Sequence, residues 1–436
     1  MNTKLILFAA VIIAAVSCGK SDEVKVKNPF TISSPTPTEQ ITKVSLDETQ
    51  RSYVRSANRM AFRFLSQVYK DESIVCSPLS LQYALAMTVN GASGETADEI
   101  LEVLGYGEEY GGLESFNAYC KALMEQLPAV DLSVALKVTN ALLVSDQFPL
   151  QTDFKSIMEN CYYAAVDNMS FEDKQQVAAR INEWASRNTN GFIKNLLSTD
   201  DISEDAAAFL MNALYFKAKW AGSEYHPMFR KEGTREEEFT LTGGAKKKIS
   251  MMHTSGSYAY GAFDGFEVLA LPYAGGKYYM YFLLPKGDDP TQMINTLSRT
   301  AWSDINAGMS RDAEVIVSVP KFDIENKMYL KEPLQEMGIR KAFTPQVAEF
   351  DRMFVPHDDY YFWIEKVIQK ARISVAEWGT EAAAVTVVEM DAENAAEMPE
   401  PRIVYFKADH PFVFVIGEQT SQTILFEGVF TGKESK

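Results

Sequence analysis

Histidine is nearly missing from this chain. His226, His253, His357 and His410 are the only four among 436 residues, and no two sit at the spacing that puts paired metal ligands on one helix face. Histidine-rich metal chemistry is thereby excluded, and neither a metal nor a cofactor is expected. Positive charge is also short: 42 lysines and arginines face 59 acids, for a formal net charge of −17. A surface with that field repels phosphate backbones, which argues against a nucleic-acid partner. Cysteine is sparse, and beyond Cys18 the remaining Cys76, Cys120 and Cys161 are odd in number. A disulfide framework is therefore not the organising device, and each reads as a small buried apolar residue. Recognisable catalytic signatures are absent as well: no Gly-x-Ser-x-Gly elbow, no phosphate-cradling glycine loop ending in Lys-Ser/Thr, no His-Glu-x-x-His. Gly243-Gly244-Ala245-Lys246-Lys247-Lys248 reads as a hairpin tip with solvated lysines, and Glu236-Glu237-Glu238 as an exposed acidic face. Nothing here makes a case for an enzyme, and a cell-envelope hydrolase would lack any nucleophile arrangement.

What is present is core-forming material: 46% apolar and 12% aromatic residues with only 23% charged. Such a chain buries a core and is not disordered. Met1 to Ser17 reads as an export signal, with Lys4 as its positive start and Leu5 to Val16 as an apolar run too short for an ordinary bilayer span. Ala15-Val16-Ser17-Cys18 resembles a bacterial lipobox, which implies lipidation of Cys18. Ala15 stands where that pattern prefers a larger aliphatic residue, and the alternative is an ordinary cleaved signal with an incidental cysteine. The resulting expectation is an exported protein, lipid-anchored at a bacterial outer membrane and facing the periplasm or the cell surface. Residues 18–45, with Ser33-Ser34-Pro35-Thr36-Pro37-Thr38, suit an extended tether.

Residues 46–436 form one α+β domain dominated by antiparallel sheet. Arg51 to Tyr69 has helical spacing. Ser77-Pro78-Leu79-Ser80 opens a second helix with a hydroxyl cap and a first-turn proline, stopped by Asn90-Gly91. Thr96 to Leu104 and Val177 to Arg187 add further helical segments. Strand-like runs lie at Phe209 to Phe216, Val268 to Pro272, Tyr278 to Leu284, Val315 to Val319, Trp363 to Ala376 and Phe412 to Ile416.

The segment that carries a functional argument is Gly379 to Ala392. Read with period two, its even positions (Thr380, Ala382, Ala384, Thr386, Val388, Met390, Ala392) hold no charge, while Glu381, Glu389 and Asp391 fall on odd ones. A strand with one core-compatible face thus runs into Glu393-Asn394-Ala395-Ala396-Glu397-Met398-Pro399, which reads as an exposed loop. An ordinary half-buried strand, or a helix through the alanines, also satisfies this pattern.

Glu377-Trp378-Gly379-Thr380-Glu381-Ala382-Ala383-Ala384 resembles the hinge of a serpin reactive-centre loop, and Phe406 to Phe414 the stretch after it. Asn212 to Trp220 is similar to that family's third strand of the central sheet, and Ser77 to Ser80 with Gly91 to Thr96 to its second helix and the segment behind it. Pro320 to Glu325 and Leu334 to Phe343 extend the likeness, which covers nearly everything from Leu46 to Phe430. The resemblance implies the serpin fold: a central, mostly antiparallel sheet, further sheets, surrounding helices and an exposed loop at about 379–401. It also implies a monomeric suicide-substrate inhibitor whose partner is a protease held as a covalent acyl-enzyme. Insertion of the cleaved loop into the large sheet is that family's mode. About a dozen new strand residues, at roughly 1 kcal/mol net per backbone hydrogen bond, supply on the order of ten kcal/mol.

The resemblance further assigns Ser77, Ser80, Asn212, Trp220 and Gln369 to the region that opens the sheet. Gln369 stands where the family commonly has histidine, and Trp378 where it commonly has a charge. Counted forward from the hinge, the reactive bond is Glu393–Asn394. Counted back from Pro411 it falls at Glu397 or Glu400, because this loop is longer than in many members; Ala392, Ala395 and Ala396 are further alternatives. Lys and Arg are absent from Gly379 to Pro401, so elastase-like or glutamate-selective proteases are the expected targets, with papain-like cysteine proteases as a further class. The alternative is a non-inhibitory member acting in binding or structure. Small neutral residues at Thr380, Ala382, Ala383 and Ala384 favour the inhibitor.

Overall fold

The computed structural model describes the backbone of residues 4–16 and, with side chains, residues 35–106, 112–203, 205–223, 225–356, 360–380 and 402–433. In chain order the first strands are β1 (Lys4–Val16), β2 (Ile74–Cys76), β3 (Ala135–Ser145), β4 (Ala164–Met169) and β5 (Ala206–Lys219). The middle of the chain supplies β6 (Arg235–Thr240), β7 (Lys246–Gly256), β8 (Ala259–Phe263), β9 (Phe266–Pro272) and β10 (Tyr278–Pro285). Then come β11 (Ala313–Pro320), β12 (Phe322–Tyr329), β13 (Tyr360–Val375) and β14 (Gly379–Thr380). The last three are β15 (Arg402–Lys407), β16 (Phe412–Glu418) and β17 (Ile424–Phe430).

They make three sheets. The largest runs β12-β13-β1-β5-β3-β4, with β14 on β5. Its β12/β13, β3/β5 and β14/β5 pairs are antiparallel, while β1 is parallel to both neighbours and β3 to β4. The second sheet, β2-β17-β16-β10-β9-β8, is antiparallel throughout. A four-stranded sheet, β15-β11-β7-β6, completes the set.

Local sequence explains the helix starts. Asp47 caps the helix Glu48–Val68 in a reciprocal box with Gln50. Ser77 caps Pro78–Gly91, with proline in the first turn where no N–H is needed. Every residue of Pro78–Gly91 is buried, so it is a core helix with no solvent face. On β5 the period-two pattern serves two cores at once: Leu210, Leu214, Phe216 and Ala218 join the main core, while Phe209, Met211 and Ala213 pack into a smaller one with Val177, Ile181 and Trp184 of the helix Lys174–Asn188.

The expected hairpin tip is there: Gly243 and Gly244, both at positive φ, turn β6 into β7. On β6, Glu236 and Glu238 are exposed, whereas Glu237 is largely covered and pairs with Arg235, Lys407 and His253. Cys76 and Cys120 are buried free thiols and Cys161 is half-buried. Lys4–Val16, read from composition as a leader, pairs along its length between β13 and β5. Its run of Ile, Leu and Val is strand-competent, and a gap between two strands satisfies its backbone on both edges.

Candidate functional site

The site is the seam between β5 and β13, with the hinge at its upper end. β13 ends in a tight turn in which Ala376 and Gly379 exchange backbone hydrogen bonds of 3.1 and 3.0 Å. Gly379 sits at φ +127°, and a Cβ there would lie 2.3 Å from the Ala218 carbonyl oxygen. Only glycine takes that conformation against another backbone so closely. The turn delivers Gly379 and Thr380 antiparallel onto Lys219 and Ala218 of β5.

Thr380 is fully buried, and its hydroxyl shares a 2.8 Å hydrogen bond with that of Tyr273. Burial raises the Tyr273 phenol and the Thr380 contact opposes that rise. The Tyr273 ring is stacked on Trp220 at 4.7 Å, and the Trp220 indole N–H donates to the Ala376 carbonyl at 2.8 Å. Glu377 anchors the other side of the turn: it accepts from Thr234 at 2.9 Å and pairs with Lys321 at 3.0 Å. Burial acts against its charge, but a backbone N–H, Lys321 and Thr234 together hold its carboxyl below the ordinary range. Trp378, half-buried, offers its carbonyl to the Trp220 N–H at 3.4 Å.

Thr380 pairs with Ala218, and the C-terminal end of β1 lies two residues further down the same edge, Val16 opposite Phe216. The two segments share one edge of β5 end to end. Any continuation of the hinge strand beyond Thr380 along β5 needs the positions that β1 holds.

Midway down the seam lies the polar group expected to control opening. Gln369 and Ser77 are both fully buried; the Gln369 amide accepts from the Ser77 N–H at 3.2 Å and donates to the Ser77 carbonyl at 3.0 Å. One amide thus does both jobs, with no titrating group. The Ser77 hydroxyl donates to the Leu425 carbonyl at 2.8 Å and accepts from the Ser80 N–H at 3.2 Å. Asn212 does not join this pair. It donates to Asn140 at 2.7 Å, and Asn140 in turn donates to the Tyr162 carbonyl at 2.8 Å. The expected polar group is therefore split, Ser77–Gln369 on the β13 side and Asn212–Asn140 on the β5 side, while the hydroxyl of Ser80 is buried without a partner among the described residues.

The segment before β5 straps the face of β12 and β13. Asp201 accepts from Lys327 and Tyr329, each at 2.8 Å, and Arg372 covers the Phe192 ring at 4.4 Å. Burial opposes the charge of Asp201, but these donors and Ser198 bring its carboxyl down to about 2. Sequence reasoning missed Tyr273, Asn140, Thr234 and Asp201. All are partners that only the fold brings near, and no local motif marks them.

Glu381, Ala382, Ala383, Ala384, Ala392, Glu393, Asn394, Ala395, Ala396, Glu397 and Glu400 lie outside the described residues, as does Cys18. Among the described residues no group of three His, Cys, Asp or Glu is placed to hold a metal, and no helix is long and apolar enough to cross a membrane.

Against known proteins, the family model described as Serpin (serine protease inhibitor) matches residues 55–432. The chain is 33% identical over 381 residues to an uncharacterized serpin-like protein of Thermococcus kodakarensis, covering 87% of this chain and 85% of that one. It is 31% identical to human neuroserpin, covering 82% and 86%. Among solved structures, the native state of the thermophilic serpin tengpin superposes with a TM-score of 0.76 at 27% identity, covering 90% of this chain and 96% of that one. Human thyroxine-binding globulin shares the fold at 24% identity and a TM-score of 0.75, covering 89% and 100%.

Proposed function

Because the chain belongs to the serpin family, whose members are mostly protease inhibitors, we propose that it inhibits serine proteases as a suicide substrate. The observation that carries this reading is the hinge: Gly379 and Thr380 already lie as strand on β5, with Thr380 turned into the core. Continued in register, the even-numbered residues after Thr380 would go inward with it, and those positions hold no charge down to Ala392.

In the proposed reaction the protease serine oxygen attacks the carbonyl of the reactive bond. The carbon–nitrogen bond breaks, the freed amine leaves with the downstream half of the chain, and an ester joins the upstream half to the protease. Insertion of that half between β5 and β13 then moves the attached protease before water can cleave the ester. The chain contributes no catalytic group. Its part is the stored difference between an exposed loop and a sheet position.

The absence of Lys and Arg from Gly379 to Pro401 supports elastase-like or glutamate-selective targets, with papain-like cysteine proteases as a further class. Glu393–Asn394 is the proposed bond. We further propose that the leader is removed on export, leaving the seam to the loop and Cys18 to carry the lipid, on a monomer at the outer membrane.

The test is to mix leader-free protein with a panel of such proteases, run denaturing gels and sequence the released peptide. A covalent complex with cleavage after Glu393 is expected. Cleaved product without a complex would mean a non-inhibitory member.

A further inference from the structure

Glu427, in the middle of β17, is a carboxyl with no exposure at all. It lies opposite Val415 on β16 and Cys76 on β2. One carboxyl oxygen is 3.7 Å from the Cys76 sulfur; the other is buried with no hydrogen-bond partner among the described residues. The Cys76 thiol, 3.6 Å from the Glu427 carbonyl oxygen, is itself fully buried. Among the described residues Cys76 is the titratable group in contact with the Glu427 side chain, and β16 presents it with Val415. A carboxylate so placed is sealed from bulk solvent and has no cation paired with it among the described residues, so the neutral acid is the form that fits. Burial accordingly pushes its pKa up to about 8, against the opposing effect of the thiol hydrogen bond.

β2 is only three residues long, yet it ties two sheets together. The Val75 N–H donates to the Asn326 side chain on β12 at 2.9 Å, and Ser77, next to Cys76, is the residue clasped by Gln369 on β13. The strand that faces Glu427 is thus also one that ties β12 and β13 beside the seam. We infer that Glu427 is a proton-controlled latch on the opening of the central sheet, locked by the neutral carboxyl and released when β2 parts and the carboxylate meets water.

Linkage sets the sign. The closed form holds the proton more tightly than an opened form in which Glu427 has an ordinary carboxyl pKa. Rising pH therefore favours opening between the ordinary range and about 8, and above that the effect levels off because both forms are ionised. Over that window the opening equilibrium rises about tenfold per pH unit.

Hydrogen exchange of the full-length protein, read by mass spectrometry at β2 and the Gln369 region of β13 from pH 5 to 9.5 and corrected for intrinsic rates, measures this directly and needs no protease. The wild type is expected to climb and then plateau near pH 8; Glu427→Gln and Glu427→Met are expected to stay flat. Cys76→Ala, which removes the thiol bond, should move the plateau to higher pH. A Glu427→Gln profile that tracks the wild type would overturn the latch. If neither Glu427 variant folds, an unmoved plateau in Cys76→Ala would do the same.

Discussion

Thr380→Arg tests the hinge at its most exacting point. Thr380 is fully buried against the Trp220–Tyr273 stack, and its hydroxyl is paired with Tyr273 at 2.8 Å. The carboxylate that anchors this turn, Glu377, is already engaged by Lys321 and Thr234. An arginine at this position loses the Tyr273 bond, leaving a buried phenol unpaired at a cost of about 1–3 kcal/mol. It also brings a guanidinium into the core, a cost of several kcal/mol unless the strand stays out. The least costly outcome is that Gly379 and Thr380 leave β5, so insertion starts from further out. A combined penalty on the order of 4 kcal/mol would shift the competition between insertion and ester hydrolysis by about a thousandfold. The assay is the yield of covalent complex against cleaved product on a denaturing gel, with an elastase-like protease and leader-free protein. Near-complete loss of complex is expected for Thr380→Arg, with Thr380→Ser retaining it through the same hydroxyl. An undiminished complex in Thr380→Arg would refute the claim that the strand enters in this register.

The seam supports three further expectations. Full-length protein carrying Lys4–Val16 is expected to form no complex, because β1 holds the positions below Thr380, and removal of the leader is expected to restore it; equal yields would show that the loop does not need that gap. Gly379→Ala puts a methyl 2.3 Å from the Ala218 oxygen at a φ of +127°, so the intact protein should lose roughly 2 kcal/mol in chemical denaturation. Asp201→Asn removes the anchor that Lys327 and Tyr329 share, and should speed the thermal conversion to an inserted form. Since the Asp201 carboxyl is depressed to about 2 in the folded protein, its contribution is present above the ordinary carboxyl range and fades as pH falls toward 2; the variant and wild type should therefore converge in acid, by calorimetry.

Much of this was legible in the residues taken in order. Ser77-Pro78 reads as a helix start and Gly243-Gly244 as a hairpin tip, and both are found there; Phe209 to Phe216, Tyr278 to Leu284 and Phe412 to Ile416 read as strands by composition and lie within β5, β10 and β16. These are local matters of dihedral preference, caps and period-two burial. Other strands were silent. β7 opens with three lysines and β6 carries three glutamates, so neither shows an apolar run, yet their cross-strand pairing is regular. Gln369, standing where the family commonly has histidine, both accepts from and donates to Ser77. Its expected companion Asn212 instead pairs with Asn140, because neighbouring strands, not shared polarity, decide who meets whom.

By itself the sequence determined that the even-numbered positions from Thr380 to Ala392 hold no charge, that Ser77-Pro78 starts a helix, and that Gly243-Gly244 turns a hairpin. Those properties belong to residues adjacent in the chain and are fixed by backbone geometry and side-chain chemistry alone. Only the tertiary structure decided that Thr380 meets Tyr273, 107 residues away, that Lys4–Val16 fills the edge of β5 below it, and that Glu427 is sealed against Cys76. Contacts of that kind depend on which strands become neighbours in three sheets, and that is settled by the packing of the whole core rather than by any stretch of it.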